Sequence, residues 1–357
     1  MRDIRPLRTP YAPPDEDLAR ILLAAADRPG GAEARIDARA RRLIEAIRAR
    51  IGGLGGVEDF LHAYALSTKE GLALMMLAEA LLRVPDTETA DRLIEDKLKA
   101  GDWAHRDARS AALLVSASAW TLGLTARIIH PGETPEGIVA SLVKRLGLPA
   151  VRAATRQAMR LLGSHFVLGQ TIAEALTRAG SHREFLYSFD MLGEAARTRK
   201  DAERYFGSYA KAIDAIGKSA GNEALPKRPG ISVKLSALHP RYEPLSRDRV
   251  LKELVPKLLE LARLAKAHEL NFTVDAEEAD RLELSLDVIT AVLRDPSLSG
   301  WDGFGMAVQA YQKRAGALID WIGDAADALD RRLMVRLVKG AYWDTEIKRA
   351  QERGLVD

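Results

Sequence analysis

The feature that most constrains the fold is the regular alternation of short apolar runs and amphipathic stretches in the second half of the chain. The apolar runs begin about every 30 to 45 residues, and the segments between them repeat apolar residues at intervals of three and four. Such alternation is typical of parallel strands joined by right-handed helical crossovers. The predicted strands are residues 185–192, 231–237, 271–277, 303–310 and 332–339. The predicted helices lie near residues 194–218, 247–268, 278–293 and 312–329, and another begins at Asp344.

These units predict an α/β fold of a particular kind. Five strand–helix units exceed a single nucleotide-binding half, and no G-x-G-x-x-G motif follows the first strand. A (β/α)8 barrel is therefore favoured over a dinucleotide-binding fold. A closed barrel of this type needs eight strands, so residues 164–357 are predicted to form an incomplete barrel that is truncated after about five strands.

The first half of the chain has a different character. Pro6, Pro10, Pro13 and Pro14 forbid a helix, so residues 1–16 are predicted to form an extended arm that lies on other parts of the protein. Helical periodicity then continues almost unbroken, as in Asp17-Leu-Ala-Arg-Ile-Leu-Leu-Ala-Ala-Ala. Residues 17–163 are predicted to form an all-helical domain that precedes the barrel.

Composition excludes several classes of function. The 357 residues contain no cysteine, which rules out disulfides, thiolate catalysis and cysteine-ligated metals, and the seven histidines show no H-E-x-x-H spacing. We therefore expect no metal site. The 53 basic and 50 acidic side chains are interspersed, which is typical of an ordinary solvated surface. Neither a secretory signal nor a membrane span is recognisable, so we expect a cytoplasmic protein, or one that is peripheral on the inner membrane.

Polar or charged residues stand at the carboxyl end of every predicted strand. In barrel enzymes this end carries the chemistry, and two carboxylates, three cations and an amide could clamp an anionic substrate and hold a cofactor phosphate. Taken singly, each residue could equally form a structural ion pair at the barrel rim, but five strands that behave alike favour a site. The residues are Asp190, Lys234, Asp275, Gln309, Arg336 and Lys339.

The individual residues leave alternatives open. Lys234 could hold a carboxylate as a point charge, or form a Schiff base if its pKa were depressed, as in a barrel aldolase. Asp190 and Asp275 could position the cations or could cap helices, since Asp275-Ala-Glu-Glu is similar to a capping box. Arg336 lies inside an apolar run, so it needs an anionic partner.

The residues after the last two strands are equally ambiguous. Gln309 could donate a hydrogen bond to a ring carbonyl or could be a surface amide. Tyr342 and Trp343 could cover a planar cofactor or could belong to the core. The loop His239-Pro-Arg-Tyr242 is expected at the rim.

Longer motifs resemble one family. Ile231-Ser-Val-Lys-Leu-Ser-Ala-Leu-His-Pro-Arg-Tyr and Arg336-Leu-Val-Lys-Gly-Ala-Tyr-Trp-Asp closely resemble the proline dehydrogenase domain of the bacterial proline utilization A (PutA) flavoenzymes. Val274-Asp-Ala-Glu-Glu-Ala-Asp-Arg-Leu-Glu and Val308-Gln-Ala-Tyr-Gln-Lys-Arg do so too, and Glu70-Gly-Leu-Ala-Leu-Met-Met-Leu-Ala-Glu-Ala resembles the family's helical domain. The resemblance spans nearly the whole chain.

The resemblance implies a function and assigns roles. The family oxidises L-proline to Δ1-pyrroline-5-carboxylate with non-covalent FAD and passes the electrons to a membrane quinone. Lys234 would bind the proline carboxylate, with Asp190 holding the lysine in place. Arg336 would approach the flavin N5, with Asp275 as its partner. The remaining cofactor contacts would come from Gln309, Lys339, Gly340, Tyr342 and Trp343.

The resemblance also has limits. The family's last three strands and its aldehyde dehydrogenase domain are not in this sequence, so we expect the chain to be an amino-terminal fragment that is inactive alone. Some members carry a ribbon-helix-helix DNA-binding domain, but the amino terminus shows no such pattern, so no DNA binding is expected. A homo-oligomer is expected for the full-length protein. The competing hypotheses are a Schiff-base aldolase that uses Lys234 and a non-catalytic fragment.

Overall fold

The structure is a computed structural model that describes residues 4–50, 89, 92 and 167–355. The chain divides into two compact units, one formed by Met1–Asp27 with Ala175–Asp357 and the other by Arg28–Glu174. In the second unit, helix α2 (Ala32–Arg50) is the longest described element. The predicted helices between residues 51 and 163 lie outside the described residues, so the predicted domain boundaries stay a prediction.

The amino-terminal arm lies against the unit that contains the strands. Residues 4–14 form neither helix nor strand, in keeping with their prolines, and helix α1 (Asp15–Ala25) starts directly after Pro14. The side chain of Ile4 is buried, and the backbone carbonyl of Arg5 accepts a hydrogen bond from Trp321 Nε1 at 2.7 Å. The arm is therefore attached to the unit through both apolar and polar contacts.

The described strands form one parallel sheet in the order β1-β2-β3-β4-β5. Neighbouring strands pair in register, for example Asp190 with Ser232 and Gln309 with Val338. The strands are β1 (Ser188–Asp190), β2 (Gly230–Val233), β3 (Asn271–Val274), β4 (Phe304–Gln309) and β5 (Met334–Val338). This arrangement, together with the helices between the strands, confirms the predicted α/β fold class.

A helix follows each strand. The helices of this part of the chain are α3 (Ile172–Ser181), α4 (Arg199–Ser219), α5 (Leu235–Leu238), α6 (Arg247–Ala267), α7 (Leu282–Leu293), α8 (Ala315–Leu329) and α9 (Trp343–Glu352). The predicted second strand was too long, because the chain turns into α5 directly after Lys234. All four residues of α5 are buried, and the pattern of a short, mostly buried segment does not distinguish a strand from a helix.

The core lies between the sheet and the helices that pack on its outer face. Every residue of β2, β3 and β4 is buried, as expected for parallel strands covered on both faces. The rings of Phe272 and Phe304 on neighbouring strands lie 5.6 Å apart, centroid to centroid. Helix α6 contributes a stripe with helical spacing, namely Val250, Leu254, Leu258, Leu261, Ala262 and Ala265.

The sheet is strongly curled. Strand β5 is three strands away from β2, which corresponds to about 14 Å across a flat sheet. Nevertheless, Arg336 Nη1 on β5 donates to Ser232 Oγ on β2 at 2.6 Å. Two side chains that stand perpendicular to a flat sheet could not meet over that distance, so the strands curve around a common interior as in a barrel. This curvature gathers the polar strand ends.

Candidate active site

The polar residues predicted from the strand ends converge at one edge of the sheet. Asp190 is the last residue of β1, Lys234 and Asp275 directly follow β2 and β3, and Gln309 is the last residue of β4. In parallel strands these ends lie at the same edge. Side chains alternate between the two faces of a strand, so Arg336 in the middle of β5 points into the same interior as the residues that it contacts.

Lys234 lies at the centre of the charged cluster. Its Nζ donates to Asp190 Oδ2 at 2.8 Å and to Asp275 Oδ2 at 2.8 Å, and 17% of its side chain is exposed. Burial acts to lower the pKa of Lys234, but the Asp275 and Asp190 carboxylates outweigh it and the pKa is raised. The backbone N–H of Lys234 donates to the hydroxyl of the buried Tyr209 at 3.2 Å, which fixes the backbone beneath the ammonium. Lys234 is therefore held rigidly and stays protonated at neutral pH.

Arg336 is anchored at both ends of its guanidinium group. Nη1 donates to Ser232 Oγ, and Nη2 donates to Asp275 Oδ1 in a short contact. The Ser232 hydroxyl also lies 3.2 Å from the Ser188 hydroxyl of β1. Asp275 thus bridges the two cations, with one carboxylate oxygen on each. This orients the guanidinium while 39% of the Arg336 side chain remains exposed.

The Asp190 carboxylate occupies the outer side of the cluster. About half of its side chain is exposed, in contrast to Asp275, of which 10% is exposed. Partial burial raises the pKa of Asp190, while the hydrogen bond from Lys234 opposes the increase. The two carboxylates therefore differ in environment although both bind the same ammonium.

Gln309 is buried and belongs to the same rim. Its Nε2 donates to the backbone carbonyl of Glu277 at 2.7 Å, and 3% of the residue is exposed. The Glu277 carboxylate accepts from the backbone N–H of Ser236 at 3.0 Å. Burial raises the pKa of Glu277 to about 6, and the hydrogen bond from Ser236 opposes the increase. Glu277 thus connects the ends of β2, β3 and β4.

The segment after β5 turns sharply at Gly340. Its φ angle is +108°, and a Cβ at this position would overlap the ring of Tyr311, so only glycine fits. Tyr342 is half-buried, and its hydroxyl donates to Glu194 Oε2 at 3.4 Å. Trp343 is 53% exposed and is therefore not a core residue. Lys339 is exposed, and its backbone carbonyl accepts from Tyr311 N at 3.3 Å.

Several alternatives from the sequence are wrong. Asp275 does not cap the following turn, whose N-cap is Glu278 without a side-chain cap, because both of its oxygens bind cations. Gln309 is not a surface amide. In the loop that was expected at the rim, His239 is buried, with Nε2 on Glu253 and Nδ1 accepting from the backbone N–H of Arg241, so its side chain supports the loop.

Among residues 4–50, 89, 92 and 167–355, no group of three or more His, Cys, Asp or Glu side chains could hold a metal ion. In the same part of the chain, no helix is both long and apolar enough to cross a membrane.

Sequence reasoning missed three residues that shape the site. Ser232 lies two positions before Lys234, and Glu277 lies two positions after Asp275, so the alternation of a strand could have indicated Ser232. Glu277 follows the strand end, where alternation no longer applies. Tyr209 comes from helix α4 and carries no signal, because a buried tyrosine in an amphipathic helix is usually part of the core.

Comparisons with known proteins identify the family to which this chain belongs. The family model described as "Proline dehydrogenase" matches residues 173–357, which is just over half of the chain and includes all five strands. The chain belongs to the proline dehydrogenase family. A second family model, "DNA-binding domain of Proline dehydrogenase", matches residues 56–166. The expectation that DNA binding does not carry over therefore finds no support, and nearly all of that region lies outside the described residues.

Relatives within the proline dehydrogenase family confirm the predicted resemblance to PutA. The "Bifunctional protein PutA" of Klebsiella aerogenes is 46% identical over 349 residues, which are 96% of this chain and 27% of that protein. The protein of the same name from Rhizobium meliloti is 46% identical over 357 residues, or 99% of this chain and 29% of that protein. A crystal structure of a variant of Bradyrhizobium japonicum Proline Utilization A is 66% identical, with a TM-score of 0.71, and covers 99% of this chain and 35% of that one. The chain thus spans about a quarter to a third of the length of these relatives.

Proposed function

We propose that this chain supplies the first five strands of a site that oxidises L-proline to Δ1-pyrroline-5-carboxylate with FAD. This reaction is the first step of proline catabolism to glutamate. In this proposal the chain acts within a longer bifunctional protein that also carries L-glutamate γ-semialdehyde dehydrogenase activity. Membership of the proline dehydrogenase family and the similarity to the PutA relatives support the proposal.

The observation that carries the proposal is the hydrogen bonding of Lys234. An ammonium group has three N–H donors, and two of them point to Asp190 and Asp275. The third remains for a further acceptor, and the raised pKa of Lys234 keeps all three protons in place. A carboxylate is the acceptor that a fixed, partly buried cation binds best, so the proline carboxylate is proposed to take this position.

The rim residues also fit FAD. The guanidinium of Arg336 is a fixed cation with its remaining surface exposed, and Gln309 contributes a buried amide at the neighbouring strand end. The exposed ring of Trp343 and the exposed Lys339 provide an aromatic surface and a positive charge near the turn at Gly340. These are the groups that an isoalloxazine ring, a ribityl chain and a pyrophosphate would require.

Bound FAD would supply the acceptor for the hydride that leaves C5 of proline. The protein's part is to orient and to balance charge. Lys234 would hold the carboxylate so that the proline ring has one orientation, which makes the encounter of the reacting atoms effectively unimolecular. Arg336 would stabilise the negative charge of the reduced flavin, because the position of its guanidinium is fixed in advance by Ser232 and Asp275.

The same geometry disfavours the aldolase hypothesis. A Schiff base requires a neutral amine as the nucleophile, and lysines that form one have depressed pKa values. In this site the two carboxylates raise the pKa of Lys234 instead. Borohydride should therefore trap no substrate adduct on Lys234.

The remaining expectations rest chiefly on the family resemblance. We propose that the electrons pass to a membrane quinone and that the full-length protein is a homo-oligomer. It is proposed to be cytoplasmic, or peripheral on the inner membrane. The 357-residue chain alone is proposed to be inactive. On β5, Val335 is 45% exposed and Leu337 is 61% exposed. This supports the last proposal, because an uncovered apolar face of a strand destabilises a sheet.

The test uses the full-length protein that contains these residues. Adding L-proline without oxygen should remove the visible flavin absorbance, and the product should react as a cyclic imine. Lys234→Met should lower kcat/KM by about 100-fold or more, because a charge-assisted hydrogen bond to the substrate is lost, Asp190 loses its cation and Asp275 keeps only Arg336. Lys252→Met, which changes an exposed lysine of α6, should have no effect. A protein that binds no flavin, or a Lys234→Met variant with native kcat/KM, would refute the proposal.

A further inference from the structure

Helix α9 is attached to the rest of its unit mainly by polar contacts. It follows the Gly340 turn and begins at Trp343, with Tyr342 as its N-cap. None of its ten residues, all of which the structure describes, is buried. Apolar burial therefore contributes little to its placement, and the few side chains that bond it to neighbouring segments decide where its first turn lies.

Glu346 in the first turns of α9 makes two of these bonds. Its Oε1 accepts from the backbone N–H of Ala279 at 3.1 Å, in the loop that follows β3. Its Oε2 accepts from the hydroxyl of Tyr11 at 3.2 Å, in the amino-terminal arm. The side chain of Glu346 is 15% exposed, and its bond to Ala279 is partly buried, whereas its bond to Tyr11 is exposed. One carboxylate thus joins α9, the β3 loop and the arm.

Tyr11 is itself held firmly. The guanidinium carbon of Arg314 lies 4.8 Å from the centroid of its ring. Beyond it in the arm, Lys313 Nζ binds the carbonyl of Pro13 at 3.1 Å and the carboxylate of Asp15 at 2.7 Å. Burial and the nearby Glu346 raise the pKa of Tyr11 to about 12, so its hydroxyl remains a donor at neutral pH. The arm is therefore a fixed support for Glu346.

We propose that Tyr11 and Glu346 are positioning residues that hold the first turn of α9 in place for the cofactor. Neither residue is proposed to touch FAD. They act through Tyr342 and Trp343, which precede Glu346 on the same helix, so this inference rests on the proposed function. Without the bonds, FAD binding would first have to order α9, and that cost would appear as weaker affinity.

The test compares four variants of the full-length protein without bound flavin. Glu346→Ala removes both bonds, and Tyr11→Phe removes one while it keeps the ring on Arg314. Glu346→Gln keeps an oxygen for Ala279 N–H and an amide that can donate to the Tyr11 hydroxyl. Asp344→Ala is the matched control, because it removes an exposed acid from the same first turn.

Two measurements are made on each variant. Titration with FAD, followed by quenching of flavin fluorescence, gives Kd, which should rise about tenfold for Glu346→Ala and about threefold for Tyr11→Phe. Glu346→Gln and Asp344→Ala should remain within twofold of the native protein. Trypsin cleavage after Arg8, measured without FAD, should be faster in Glu346→Ala and Tyr11→Phe because the arm is released more often.

The outcomes separate this inference from the proposed function. Equal effects of Glu346→Ala and Asp344→Ala would overturn the inference, because the acid would then act only on the helix dipole. If Glu346→Ala does not fold, Tyr11→Phe with native Kd and native cleavage overturns it equally. A native protein that binds no FAD would refute the proposed function, and the positioning role for FAD with it. The cleavage rates would then still decide whether the bond between Tyr11 and Glu346 holds the arm.

Discussion

Asp275 is the residue whose replacement tests the charged cluster most directly. It is 10% exposed and binds Lys234 Nζ at 2.8 Å through one oxygen and Arg336 through the other. Asp275→Asn keeps the shape of the side chain and one acceptor but removes the charge. Both cations then lose their most buried partner, while Lys234 keeps Asp190.

The expected loss of unfolding free energy follows from these contacts. A hydrogen bond to a charged group contributes about 1.5–3 kcal/mol, and breaking a fully buried pair costs about 3–5 kcal/mol. Here Arg336 is 39% exposed and can regain water, and Lys234 retains one carboxylate. The exposure of Arg336 and the remaining carboxylate partner of Lys234 both reduce this cost, so we expect Asp275→Asn to destabilise the protein by about 2–3 kcal/mol.

The assay is urea unfolding followed by far-ultraviolet circular dichroism, with Asp287→Asn as the matched control. Asp287 also accepts from an arginine, Arg247, at 2.7 Å, but the two side chains are 38% and 52% exposed. Its replacement should cost about 0–1 kcal/mol, as is usual for surface ion pairs. Equal losses for the two variants would show that burial of the cluster does not strengthen it.

Two further predictions concern Glu277 and Gly340. The pKa of Glu277 is raised from 4.5 to about 6, so the buried carboxylate costs about 2 kcal/mol of stability once it ionises. Relative to Glu277→Gln, the native protein should therefore lose this amount as pH rises from well below 4.5 to well above 6, and parallel unfolding curves for the two proteins would contradict the assignment. Gly340→Ala should destabilise the protein by about 1–3 kcal/mol in thermal unfolding, because of its positive φ and the overlap with Tyr311. Gly323→Ala within α8 has open space and should be neutral or stabilising, so a similar loss there would argue against strain at Gly340.

Much of the fold could be predicted from the sequence. The five strands and the helices between them follow from periodicity, because burial on both faces requires continuous apolar strands and burial on one face requires helical spacing. Strand ends were less predictable. The chain leaves β2 at Val233 and enters α5, although Leu235 and its neighbours would also suit a buried strand.

The candidate site was predictable in its residue types and in part of its pairings. Asp190 was expected to hold Lys234 and Asp275 to hold Arg336, and both pairs are present. The bond from Lys234 to Asp275, which makes Asp275 a bridge between the two cations, was not predicted. No local pattern could indicate this, because these residues lie on four different strands or strand ends. Their functional roles stay predictions until the variants above are measured.

The sequence by itself determined roughly where the strands and helices lie and which strand ends carry polar groups. These properties depend on local sterics and on the burial of apolar surface, and both are determined by the spacing of residue types along the chain. Only the tertiary structure decided that Arg336 reaches Ser232 across three strand spacings and that the arm's Tyr11 meets Glu346. Those contacts depend on the curvature of the whole sheet and on the course of the arm, because they join segments far apart in the chain.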